Sequence, residues 1–114
     1  MYSIISFTPA HKFELFHKSE QCGADVLIID LEDSLPISYK DNIHEVLSRS
    51  VDLSVISRFG YRINSITTSY GLKDILFIRK SVVKPEMVMV PLIENLAEIN
   101  LVRKLLPGVK LVCT

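Results

Sequence analysis

Apolar positions along the chain fall into short runs separated by polar turns, a pattern typical of strands that alternate with helices. Five runs predict strands, at Ile4–Phe7, Val26–Leu31, Val55–Asn64, Met87–Val90 and Val109–Cys113. The second run is almost wholly β-branched and aliphatic, as expected for a strand buried on both faces of a parallel sheet. In the third run apolar and polar residues alternate, which places one face of that strand in the core.

Between these runs, the spacing of apolar residues predicts helices. The first helix is predicted over His11–Cys22, and Gly23 follows it as a C-cap. The second helix is predicted to begin at Ser38. Ser38 is its predicted N-cap because an acidic residue, Asp41, follows three residues later. Its predicted apolar face comprises Tyr39, Ile43, Val46 and Leu47.

Two further helices complete the alternation. One is predicted over Ser69–Ile78, and the other runs from an N-cap at Asn95 to the Pro107-Gly108 pair. The apolar face of the latter comprises Leu96, Ile99, Val102 and Leu106. Alternating strands and helices predict an α/β fold whose parallel sheet is covered by helices. An open doubly wound sheet and the first part of a (β/α)₈ barrel both fit, and the length of 114 residues by itself favours the open sheet, because a barrel takes about 250 residues.

Composition and charge narrow the classes of function. The length allows one domain, and thirteen basic and thirteen acidic side chains give a formal net charge of zero. No basic patch for nucleic acid and no apolar segment long enough for a membrane span is visible. Cys22 and Cys113 lie far apart and are expected to be reduced thiols in a cytoplasmic protein.

Polar side chains gather where the predicted strands end. A period of two places Asp30 and Glu32 on one side of the second strand, and Arg62 and Asn64 on one side of the third. Because sites of parallel α/β folds gather at the carboxyl ends of strands, these groups are expected to share one concavity. An arginine there suits a carboxylate or phosphate ligand. A purely structural ion pair between the strands fits the same spacing equally well.

Four segments together resemble a known family. They are "FTPA", "GADVLIIDLEDSLPISYK", "YRIN" and "VMVPLIEN", in this order. Order and spacing are similar to those of the citrate lyase beta chain family, which includes malyl-CoA-type lyases. The most specific element is the acidic segment followed by Lys40, together with the "RIN" segment at the end of the next strand.

The resemblance implies a barrel fold and a reaction. Members of this family use Mg²⁺ to cleave a 3-hydroxyacyl thioester of CoA or an acyl carrier reversibly into an acetyl thioester and a 2-oxo acid. By resemblance, Arg62 is the catalytic arginine that contacts the substrate carboxylate or enolate oxygen. The residues implied to support the site or bind substrate are Asp30, Glu32, Asp33, Asn64, Lys40 and Pro9.

The chain also departs from the family pattern. The family has an arginine near Ser3, a lysine at Leu92 and an arginine at His44, and none of these is present here. By resemblance, the two carboxylates that bind the metal lie on later strands, and the chain ends at Thr114. We therefore expect residues 1–114 to form a single partial domain, the N-terminal half of a barrel, without metal ligands of its own. Its open strand edges and a mean hydropathy of +0.30 predict self-association or a partner chain that completes it.

Three functions remain open at this point. The first is a lyase represented by its N-terminal half, whose isolated chain is inactive. The second is a non-catalytic homologue that binds an oxo acid or acyl thioester, or serves as an assembly subunit. The third is a flavodoxin-like signalling module with Asp30 as phosphoacceptor, which lacks the expected second acid and late lysine.

Overall fold

The computed structural model describes residues 4–91 and 96–114. Five strands form its one sheet in this part of the chain. They are β1 (Ile5–Pro9), β2 (Val26–Asp30), β3 (Phe59–Arg62), β4 (Met87–Val90) and β5 (Lys110–Cys113). The helices are α1 (Phe16–Gln21), α2 (Ile37–Lys40), α3 (Ile43–Ser50), α4 (Ser69–Lys80) and α5 (Leu96–Leu105). Two 3₁₀ turns precede α1 and β3, at Phe13–Leu15 and Leu53–Val55.

All neighbouring strands are parallel, and their order in space is their order in the chain. The register places Pro9 beside Asp30, Asp30 beside Arg62, and Arg62 beside Met89. A doubly wound sheet reverses its strand order at a switch point, whereas this sheet runs from first to fifth without reversal. The open doubly wound alternative is therefore wrong, and the prediction of five parallel strands with covering helices is confirmed.

Helices cover one face of the sheet. Its core cluster joins alternate strand residues to inward-facing helix residues. The strand members include Leu27, Ile29, Phe59, Tyr61, Val88 and Val90, and the helix members include Phe16, Ile43, Leu47, Ile75, Ile78 and Val102. A second buried cluster contains strand residues alone, namely Val26, Ile28, Met87 and Met89, with Val112 beside it. We call this second side, to which Asp30 and Arg62 also belong by register, the helix-free face.

Apart from Asp30 and Arg62 at its carboxyl edge, the helix-free face is largely apolar, and it is open at its β1 side. Ile5 and Phe7, which lie beside Val26 and Ile28 in the register, are both exposed. Exposed large apolar side chains on a sheet edge are typical of a surface that another element covers.

The third strand is shorter than its alternating pattern predicts. The segment Val55–Asn64 was expected to be extended, but Val55 ends a 3₁₀ turn and β3 comprises only Phe59–Arg62. Asp52 starts the turn because its side chain accepts a bond of 3.0 Å from the backbone nitrogen of Ser54. A local side-chain bond of this kind overrides the strand propensity of the residues that follow it.

The second helix is broken in two. Ser38 is not an N-cap, because α2 begins at Ile37 and forms a single turn before α3 starts at Ile43. Tyr39 therefore does not share the buried face of Ile43, and its exposed ring lies 4.6 Å from the ring of His11 instead.

The later elements follow the prediction closely. The helix predicted over Ser69–Ile78 is α4, which extends two residues further, and β4 has the predicted bounds. On α5, Val102 is buried but Leu96 is exposed. The predicted N-cap Asn95 lies outside the described residues. No helix among the described residues is long and apolar enough to cross a membrane.

Candidate active site at the strand ends

Three strand ends meet at the carboxyl edge of the helix-free face. Pro9, Asp30 and Arg62 stand side by side in the register of β1, β2 and β3. The chain turns away from the sheet directly after Pro9, where Ala10 donates its backbone N–H to the Asp30 carbonyl at 3.0 Å. Pro9 ends the edge strand without needing a ladder donor of its own.

Asp30 and Arg62 form a two-point ion pair. The Nε of Arg62 donates to Oδ1 of Asp30 at 3.0 Å, and its Nη2 donates to Oδ2. Asp30 also accepts the backbone N–H groups of Glu32 at 2.9 Å and Ser34 at 3.0 Å, and the Ser34 hydroxyl at 2.6 Å. Its side chain is fully buried. Burial alone would raise the pKa of Asp30, but the hydrogen bonds from Arg62, Ser34 and the backbone lower it to about 2.

Arg62 is held on one edge and open on the other. Its guanidinium carbon lies 5.1 Å from the centre of the exposed Phe7 ring, and its Nε lies 3.8 Å from Oε1 of Glu32. The hydrogen bond to Asp30 raises the pKa of Arg62, so this group stays charged. Within residues 4–91 and 96–114, its Nη1 donates no hydrogen bond. The guanidinium thus retains donors for an anionic ligand.

Glu32 and Asp33 lie beyond the end of β2, in the segment that leads to α2. Burial, followed by the charge of Asp33, raises the pKa of Glu32. Glu32 is half-buried next to Arg62, whereas Asp33 is exposed. These two carboxylates therefore differ in environment although they are adjacent in the chain.

Lys40 and Asn64 form a second group of bonded side chains. The ammonium of Lys40 donates to Oδ1 of Asn64 and, at 3.0 Å, to the Glu32 carbonyl. The Nδ2 of Asn64 donates to the Leu31 carbonyl at 2.8 Å. Together the two side chains tie α2 and the residues after β3 to the segment that carries Glu32.

The predicted alternation brings together only some of these residues. Arg62 lies on the helix-free face with Asp30, but Asn64 bonds to Lys40 and to Asp74 of α4. The prediction that Arg62 and Asn64 share one side is wrong, because β3 ends at Arg62 and the period of two ends with it. Asn64 is linked to Arg62 only through the backbone of Leu31, which follows β2.

The described residues do not form a magnesium site by themselves. None of their His, Cys, Asp and Glu side chains form a group of three that could hold a metal ion. Five hydrogen bonds already occupy the oxygens of Asp30, and Glu32 faces the cation of Arg62. Mg²⁺ requires a near-octahedral set of oxygen ligands, which this arrangement does not supply.

A family model decides the membership of the chain. The model of the HpcH/HpaI aldolase/citrate lyase family matches residues 3–110. The chain belongs to this family. The resemblance found in the four sequence segments is therefore confirmed, and the fold matches the N-terminal part of the citrate lyase beta barrel.

Three relatives indicate the chemistry of the family. The (3S)-malyl-CoA thioesterase of Cereibacter sphaeroides is 24% identical over 109 residues, which are 94% of this chain and 38% of that protein. The citrate lyase beta subunit of Mycobacterium tuberculosis, solved with oxaloacetate and magnesium, is 27% identical at a TM-score of 0.72, covering 96% of this chain and 45% of that one. Protein CitE of the same organism, with magnesium, acetoacetate and coenzyme A, is 27% identical at a TM-score of 0.73, covering 96% and 38%. The chain thus spans less than half the length of each.

One of the departures from the family pattern, at His44, is explained by a buried partner that the sequence analysis did not identify. His44 stands where the family pattern has arginine, and its Nε2 lies 2.6 Å from Oδ1 of the buried Asp74. Asp74 could have been found as a charged residue on the buried face of α4, three residues after Gly71 and four before Ile78. A carboxylate in that position needs partners, which His44 and Asn64 provide.

The burial and bonding of Asp30 exclude the signalling alternative. A phosphoacceptor must reach its phosphate donor, but Asp30 is fully buried and is bonded to Arg62 and Ser34. Asp30 therefore orients Arg62, and the third function proposed from sequence is not supported by the geometry.

Proposed function

We propose that this chain supplies the arginine-bearing part of a carbon–carbon lyase site, which cleaves a citryl-, malyl- or citramalyl-type thioester into an acetyl thioester and a 2-oxo acid. The observation that carries the proposal is the guanidinium of Arg62, fixed by Asp30 through Nε and Nη2 and still able to donate through Nη1. Family membership and relatives solved with oxaloacetate or acetoacetate support it. The free cysteines fit a cytoplasmic protein.

The proposed cleavage moves negative charge onto oxygen atoms that Arg62 can bind. Cleavage breaks the bond between the α-carbon of the thioester and the carbinol carbon. The hydroxyl loses its proton and becomes the carbonyl of the oxo acid, while the electron pair moves to the acetyl thioester as an enolate that then takes up a proton. A guanidinium held in place by Asp30 binds the carboxylate or the developing enolate oxygen without having to reorganise.

The remaining residues support Arg62 in this proposal. Asp30 and Pro9 shape the strand ends, and Lys40 and Asn64 hold the segment that bears Glu32. Glu32 and Asp33 add negative charge around the arginine. Their charge favours the protonated guanidinium.

Completion of the site requires further strands. The helix-free face exposes Ile5 and Phe7, and among the described residues β1 and β5 each have one edge without a neighbouring strand. We propose that other elements of a barrel, from a longer product, a partner chain or a second copy, cover this face. Sizing by light scattering is expected to show association of the isolated chain. A well-dispersed monomer would contradict the part of the proposal that concerns self-association.

Oxo-acid binding tests the role of Arg62. Oxaloacetate, pyruvate and acetoacetate are titrated into the isotopically labelled chain, and backbone resonances near the strand ends are followed. The variant Arg62→Gln is expected to weaken binding about tenfold or more, since a charge-assisted hydrogen bond is worth roughly 1.5–3 kcal/mol. The matched control is Arg58→Gln. Arg58 lies just before β3, at the opposite end of the strands from Arg62, and its side chain pairs with Glu86.

The outcomes separate the two remaining functions. Binding that depends on Arg62, with turnover once the barrel is complete, supports the lyase. Binding without turnover in a completed assembly supports the non-catalytic homologue. Equal affinity of the wild type and Arg62→Gln would contradict both.

A further inference from the structure

Asp74, a buried acid of α4, lies outside the candidate site but accepts hydrogen bonds from Asn64, one of the candidate site residues. Asp74 is 1% exposed. Its Oδ2 accepts two bonds from Asn64, from the backbone nitrogen at 2.9 Å and from Nδ2 at 2.8 Å. Its Oδ1 lies 2.6 Å from Nε2 of His44 on α3. Both oxygens of a carboxylate that has left water are thereby paired.

The chain of bonds continues from Asn64 to the backbone after β2. Asn64 donates to the Leu31 carbonyl at 2.8 Å and accepts a bond from Lys40. Lys40 in turn donates to the Glu32 carbonyl at 3.0 Å. Two hydrogen-bonded routes, both through Asn64, thus connect Asp74 to the segment that places Glu32 beside Arg62: one runs directly to the Leu31 carbonyl, and the other runs through Lys40 to the Glu32 carbonyl.

Close packing leaves this connection little freedom. A Cβ added at Gly71 would lie 2.7 Å from the Asn64 carbonyl oxygen and 2.0 Å from that of Ser65. The first turn of α4 therefore rests on the backbone of Asn64 itself, and Asp74 follows one turn later. Interiors packed in this way transmit a displacement of one group to its neighbours.

We infer that Asp74, held by His44, is a positioning residue of the candidate site. It acts through Asn64, whose bonds fix the segment Leu31–Glu32 next to Arg62. The inference rests on the proposed function only in that the positioned groups are those assigned to oxo-acid binding. Packing of α3 on α4 does not itself require the pair, because the His44 ring also lies 5.0 Å from the ring of Phe77.

The test compares variants that keep or remove each hydrogen-bonding group. Asp74→Ala removes the acceptor for Asn64, whereas Asp74→Asn retains an oxygen for it. His44→Phe removes the donor to Asp74 and keeps an aromatic ring, whereas His44→Arg retains a donor. Two readouts are recorded by NMR on the full chain without ligand: the Nε resonance of Arg62 and the titration midpoint of the Glu32 carboxyl.

Loss of the positioning bonds is expected to move both readouts. In Asp74→Ala and His44→Phe, the Arg62 Nε resonance shifts and the Glu32 midpoint falls toward the ordinary range of a glutamate, because a released segment exposes Glu32 to water. Asp74→Asn and His44→Arg stay near the wild type. The charged groups that act on Glu32 are Asp30, Asp33, Lys40 and Arg62, and no variant changes them.

Controls keep this result separate from folding and from the proposed function. Glu86→Gln, at the opposite end of the strands, is expected to leave both readouts unchanged. If Asp74→Ala does not fold, His44→Phe against His44→Arg decides. Wild-type readouts in a folded Asp74→Ala or His44→Phe variant overturn the inference. A failure of oxo-acid binding does not affect it, since neither readout needs a ligand.

Discussion

Asp30 accepts hydrogen bonds from two nitrogens of the Arg62 guanidinium while remaining fully buried. The pair joins the ends of two neighbouring parallel strands, where α/β folds place their functional groups. The Ser34 hydroxyl and two backbone N–H groups complete the environment of the carboxylate. Both oxygens of Asp30 are therefore occupied by hydrogen bonds. Asp30 orients the guanidinium, and Arg62 is the residue of the pair that can bind a ligand.

The first prediction concerns acid unfolding. The pKa of Asp30 falls from 3.8 to about 2 on folding, so its ionised form stabilises the native state. That contribution, about 2 kcal/mol, is fully present above pH 4 and is lost as the pH falls toward 2. Urea unfolding between pH 5 and pH 2.5 is expected to show a steeper loss of stability for the wild type than for Asp30→Asn. Asp33→Asn, at an exposed position, should retain the wild-type slope, and equal slopes for all three proteins would contradict the prediction.

The second prediction concerns Lys40. Replacement by Met removes the donor to Asn64 and to the Leu31 and Glu32 carbonyls. Leaving part-buried acceptors without their partner is expected to lower the free energy of unfolding by roughly 1–3 kcal/mol. Urea unfolding at neutral pH measures the difference. Lys73→Met, at an exposed position of α4, should stay within about 0.5 kcal/mol of the wild type.

The third prediction concerns the contact between α4 and the residues after β3. In Gly71→Ala the new Cβ would approach the Ser65 carbonyl oxygen to 2.0 Å, so the helix must shift. Alanine gains helix propensity of about 1 kcal/mol, but overpacking against backbone typically costs about 1–3 kcal/mol. A net loss of stability is expected, accompanied by shifted Asn64 resonances. Leu72→Ala at an exposed position serves as the control, and a stabilised Gly71→Ala would refute the close contact.

The sequence allows the strands and their order along the chain to be predicted, but not every local detail. The apolar runs at Val26 and Met87 appear as β2 and β4 because both are buried on both sides. The break between α2 and α3 was missed because Ser38 and Asp41 imitate the spacing of a helix cap. Spatial order within the sheet depends on how helices pack across it, which periodicity alone does not encode.

Site residues were predictable to the extent that they lie within strands. The neighbouring positions of Asp30 and Arg62 follow from parallel pairing and were expected. The environment of Asn64 was not, since it depends on Asp74, ten residues further along and on a helix. A polar residue on an apolar helix face is the signal that would have located it.

The fourth prediction is that the chain alone does not cleave malyl-CoA or citramalyl-CoA. It spans less than half of each relative compared, and residues 4–91 and 96–114 contain no group of three side chains suited to a metal ion. With Mg²⁺ present, release of acetyl-CoA by the purified 114-residue chain is expected to equal the rate without protein. The variant Arg62→Gln is assayed in parallel as a control. Activity from a trace contaminating lyase would persist in that preparation and would be recognised in this way. Robust turnover by the wild type that disappears in Arg62→Gln would overturn the prediction.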